Sequence, residues 1–127
     1  MKKAVQGLVF LMATAFMFMG LRWWFDPIGS ASEFGMTLST GVGLSTEIGD
    51  ISSLFITGSL CMFLGLFKGD VRWFYAPTLL VVFAAIGRTI AWAFHDASLA
   101  LAFIVPEIVF ALINLAAIKL LGSENDA

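Results

Sequence analysis

Polar side chains are gathered into a few short intervals along this chain, and between them run four long apolar stretches. The first is "AVQGLVFLMATAFMFMGLRWWF" at 4–25 and the second "ISSLFITGSLCMFLGLF" at 51–67, followed by 71–94 and 97–121. Each reaches or nearly reaches the ~20 residues that cross a ~30 Å hydrocarbon core. A segment in lipid must satisfy its own backbone, and a closed barrel would read as alternating strands, which these runs do not. The pattern predicts an all-α integral membrane four-helix bundle forming one domain over 1–127, with helices at about 4–25, 50–67, 71–94 and 97–121. Lys2-Lys3 before an apolar run also has the look of a secretory signal. That run exceeds the usual h-region of ~7–15 residues, and Arg22-Trp23-Trp24 suits an interfacial anchor; the first helix is retained.

The polar intervals set the connections. A "KGD" turn joins the second and third helices and little more than His95-Asp96 joins the third and fourth, so these pairs are expected to run antiparallel in an up-down bundle. Residues 26–49 form the exception, a long outward loop rich in Gly, Ser and Thr. Asp26-Pro27 ends the first helix, because proline cannot continue it. Ser30 and Glu33 have capping-box spacing for a short surface helix holding Phe34 and Met36. With Leu38, Val42 and Leu44, these make the loop a lid on the bundle mouth.

Charge then gives orientation. Placing Lys2, Lys3, Lys68, Arg72 and Lys119 inside leaves only Arg22 outside and Arg88 within the membrane. By the positive-inside rule both termini are expected to be cytoplasmic, in a multi-pass protein of the inner membrane. Composition agrees with lipid as the solvent: 60% of residues are hydrophobic and 13% charged, against ~45–50% and ~25% in soluble domains. A net charge of −2 offers no basic patch for nucleic acid. The single cysteine, Cys61, excludes an intrachain disulfide and a thiolate metal cage.

The few polar residues inside the spans converge. Arg88 precedes His95 by seven residues, and Glu107 follows Ser98 by nine. At 1.5 Å per residue they lie about 10 and 13 Å below the outer surface, a difference within the reach of an arginine. Arg88, Trp92 and His95 share one helix face, and Glu107 and Asn114 another. A lone charge at mid-membrane costs from ~3 to more than 10 kcal/mol, so pairing of Arg88 with Glu107 is the economical arrangement. Pro106 frees the carbonyl of Ala102 one turn above Glu107. Asp26 and Asp50 stand at the outer ends of the first two helices. Together Asp26, Asp50, Arg88, Trp92, His95, Glu107 and Asn114 are expected to form an outer-half polar pocket.

The same residues have plainer roles. Arg88–Glu107 would also serve as a clamp fixing helix register. Asp26 and Asp50 would serve as helix-boundary residues, and His95-Asp96 as a wet turn. One histidine excludes histidine-rich di-iron sites and bis-histidine haem. No spacing motif supports a metal site from Asp50, His95 and Glu107, and "STGVGLS" at 39–45 lacks the lysine of a P-loop. No cofactor is implied.

"FDP" at 25–27, "GDISSLF" at 49–55, "IGR" at 86–88 and "PEIVFAL" at 106–112 resemble a family of small bacterial membrane proteins defined as a domain of unknown function, number 4345. That family in turn looks like a relative of the DoxX-like four-helix membrane proteins. The resemblance implies a four-helix bundle and draws notice to Asp26, Asp50, Arg88 and Glu107. It implies no activity. Three functions follow from the residues: an accessory subunit or binder of a small amphipathic or anionic ligand at Arg88, a structural subunit with membrane partners or self-association, and a proton-coupled carrier or membrane enzyme using Glu107, Asp50 and His95. Ala84, Ala85, Gly87 and Ala91 permit close helix contact in any of them.

Overall fold

Apolar length decides the elements. The computed structural model describes residues 1–123, and among these there are helices and no strands. Helix α1 runs Lys2–Phe25, α2 Pro27–Glu33, α3 Gly41–Lys68, α4 Tyr75–Phe94 and α5 Leu101–Gly122, with a 3₁₀ turn at Val71–Phe74 leading into α4. Four helical spans, over 2–25, 41–68, 71–94 and 101–122, are long and apolar enough to cross a membrane.

Two boundaries differ from the sequence expectation. Helix α3 starts at Gly41 rather than near residue 50, so most of the expected loop 26–49 is helical. At 28 residues α3 is about 42 Å long, longer than the ~30 Å core it would cross. Its polar first turns are held by Glu47, which accepts from the Ser39 backbone N–H and hydroxyl at 2.9 and 3.0 Å. Helix α5 starts at Leu101 rather than about 97, and Asp96, just past the end of α4, takes a left-handed φ of 54°, a conformation short polar side chains tolerate. The link between α4 and α5 therefore spans 95–100.

Helix α1 buries Val5, Val9, Met12, Ala13, Phe16, Gly20 and Trp23, a stripe at three- and four-residue spacing. Leu11 and Phe18, away from that stripe, are about two-thirds exposed, so the helix is apolar all round, as a lipid-facing element is. Its main partner is α3, with Phe10 against Phe63 and Phe16 against Phe55. Positions that rise along α1 fall along α3. The buried Ser59 hydroxyl donates to the Ala13 carbonyl at 2.6 Å, and Trp24 Nε1 donates to Ser52 Oγ at 2.9 Å. Gly20 allows the approach: a Cβ there would stand 2.7 Å from Ile56.

Helix α4 packs mainly on α5 and more lightly on α3, while α5 also lies along α1. At one end the 3₁₀ turn drives Phe74, fully buried, against Gly65, where a Cβ would lie 2.6 Å from its ring. Asp70 caps that turn by accepting from Arg72 N at 3.0 Å. The Arg72 guanidinium and this backbone bond hold the Asp70 carboxyl below its usual range.

Candidate functional site

At the opposite end the helices enclose a half-open cavity of about 530 Å³. Phe16 and Met19 from α1, Leu54 and Phe55 from α3, Leu80 and Ala84 from α4, and Phe103, Pro106 and Phe110 from α5 make its apolar wall. Arg88 and Glu107 are its two charged residues. The volume lies in the ~300–1,000 Å³ range of small-molecule sites.

The charged pair forms where α4 and α5 match in depth. Arg88 lies six residues before Phe94 and Glu107 six after Leu101, so each sits about 9 Å inside its helix end. Arg88 Nε donates to Glu107 Oε1 at 2.9 Å. The arginine side chain is 31% exposed and the glutamate 14%. The guanidinium carbon also lies 4.7 Å from the Phe103 ring centroid, a cation–π distance. The pair meets through one nitrogen only. Neither Nη of Arg88 has a protein partner among the described residues, and Glu107 Oε2 is buried without a donor. An unmatched buried acceptor costs about 1–3 kcal/mol.

Two of the five apolar residues expected over the bundle mouth reach the cavity. Phe34, at the C-terminal end of α2, and Met36 both line the cavity. Phe34 stacks on Phe103 at 5.5 Å and 12°, and also meets Phe55 at 5.8 Å and Trp23 at 6.3 Å. Leu38, Val42 and Leu44 do not line the cavity, and Val42 is 84% exposed.

The cap of α2 is Asp26, not Ser30. Its carboxylate accepts from Gly29 N at 3.0 Å, with Pro27 in the first turn. Arg22 ties the element down, reaching Asp26 at 3.3 Å and bonding Glu33 as well. The Gly29 bond and the Arg22 guanidinium hold the Asp26 carboxyl below its ordinary range.

Of seven expected site residues, two line the cavity. Asp26 is spent on the cap. Asp50 lies inside α3 rather than at its start, exposed, one turn before Leu54. His95 and Trp92 are exposed and do not line the cavity. Asn114 is 1% exposed with Oδ1 unpartnered, two turns from Glu107 and outside the cavity. Phe103 joins the site as well; it precedes Glu107 by four residues and so shares its face. Glu33, eleven residues from Arg22, left no local signal. Glu107 also borders a shallower groove of about 440 Å³ between α4 and α5, lined by Ala85, Thr89, Ile104 and Ala111 among others. Among the described residues no group of three His, Cys, Asp or Glu could hold a metal ion.

No family model matches the chain, and no curated protein or solved structure does either.

Proposed function

We propose that the chain is an inner-membrane protein, an up-down four-helix bundle with both termini cytoplasmic, that binds a small amphipathic ligand from its outer half. The ligand's apolar body fills the cavity and its head, a carbonyl or an anion, accepts from the free Nη groups of Arg88. Glu107 holds Arg88 in place, and Phe34 with Met36 closes the site. The observation that carries this reading is a half-open apolar cavity whose wall holds an arginine with unused donors. The flanking cations Lys2, Lys3, Lys68, Arg72 and Lys119 support the orientation. The motif likeness to the domain-of-unknown-function family adds no activity to it.

The test uses the protein in zwitterionic nanodiscs and a set of radiolabelled twelve-carbon probes: dodecanamide, dodecanoate and methyl dodecanoate. At least one is expected to bind saturably above empty discs, with affinity at least tenfold weaker in Arg88→Ala and lost in Ala84→Trp, which fills the cavity. Equal binding of every probe to wild type and Ala84→Trp would overturn it.

A further inference from the structure

We infer that the head group is neutral and carries both an acceptor and a donor, as a primary amide does, rather than a carboxylate or phosphate; this rests on the ligand-binding reading above. Three observations lead there. First, the wall is already neutral, because Arg88 is matched by Glu107 at 2.9 Å. Adding an anion to a largely apolar cavity would leave one buried charge unmatched. Secondly, the unused groups are of both kinds. The Arg88 Nη atoms offer donors, while Glu107 Oε2 is an acceptor lacking a donor. A head with a carbonyl and an N–H or O–H answers both through a small turn of the glutamate. A carboxylate answers only the first and sets two anions side by side. Thirdly, the cavity end of the molecule is acidic. Besides Arg22 and Arg88 it carries Asp26, Glu33, Glu47, Asp50, Asp96 and Glu107. Arg22 is engaged by Asp26 and Glu33. Asp50 is exposed one turn before Leu54 of the cavity wall. The field at the mouth therefore opposes an approaching anion.

The nanodisc competition decides it at pH ~10, where dodecanoate is ionised even though the disc surface raises a carboxyl's pKa. Unlabelled dodecanamide is expected to displace labelled dodecanamide at least tenfold better than dodecanoate does, with methyl dodecanoate, which accepts but cannot donate, in between. Glu107→Gln leaves Arg88 unmatched and should invert the order, making dodecanoate the better competitor; a merely structural role for Glu107 would lower all affinities alike. If Glu107→Gln does not fold, Asp50→Asn with Asp96→Asn serves instead. Both positions are exposed, and the pair should strengthen dodecanoate several-fold and leave dodecanamide unchanged. Dodecanoate binding wild type as well as or better than the amide overturns the inference and leaves the binding site standing. Absence of any saturable probe, with Ala84→Trp behaving as wild type, overturns the underlying reading.

Discussion

Single positions show where space is already used up. Gly65 faces the buried Phe74 ring, and a Cβ there would come within 2.6 Å of it. The ring is 0% exposed and set by a capped 3₁₀ turn, so it has nowhere to retreat. Gly65→Ala is expected to destabilise by about 1–3 kcal/mol, the usual cost of overpacking. Gly87, on the same kind of helix, has nothing within 4 Å of its added Cβ. Gly87→Ala should be neutral or stabilising by up to ~1 kcal/mol through helix propensity. Denaturation midpoints in one detergent, measured for both variants, check the contrast; equal effects would mean that the Phe74 contact is not tight. Sequence alone held the Arg88–Glu107 pairing, because two charges at equal depth in lipid have few other partners. It did not hold the positions of Asp50, His95 and Trp92. Periodicity tells which residues share a helix face and not which neighbour that face meets. An exposed polar residue near a helix end is as well served by water as by a site.

The elements were legible wherever hydropathy defined them and blurred wherever backbone chemistry did. "GVGLSTEIGD" at 41–50 has three glycines and few strong helix formers, so its composition reads as loop. It is helical because α3 continues through it, with Glu47 anchoring Ser39. The short α2 depends on Asp26, and its pH response follows. The folded carboxyl lies below the usual Asp value. Its contribution is thus fully present above the unfolded pKa of ~3.9 and is lost as pH falls through the lower folded value. With Trp24, Trp73 and Trp92 replaced by Phe, fluorescence of Trp23, which touches Phe34 just past α2, is expected to stay constant from pH 7 to 5. It should change only below the ordinary Asp range, and Asp26→Asn, which keeps an acceptor for Gly29, should remove most of that acid transition. A transition centred near pH 6 would assign it to another group.

At the scale of the molecule, orientation and the charged pair are both testable. In a Cys61→Ser background, Lys3→Cys is expected to react with an impermeant maleimide only in inside-out vesicles, and the exposed Thr37→Cys only in right-side-out ones. The reverse labelling would turn the bundle over and put the cavity on the cytoplasmic side.

The pair itself separates holding the fold from serving the site. Removing one member leaves the other charged, half-buried and unmatched, which in proteins typically costs about 3–5 kcal/mol. Arg88 is 31% exposed, so the lower part of that range applies to Glu107→Leu, which strands it. Replacing both, as Arg88→Met with Glu107→Leu, removes the desolvated charges together and is expected to recover most of the loss. A double-mutant cycle on denaturation midpoints gives the coupling. The double variant would then be a folded protein with an apolar cavity and no polar groups for a head. It should keep weak binding of dodecyl chains and lose the preference for dodecanamide. If it folds and still discriminates among heads, recognition lies elsewhere in the wall and Arg88–Glu107 is a clamp alone.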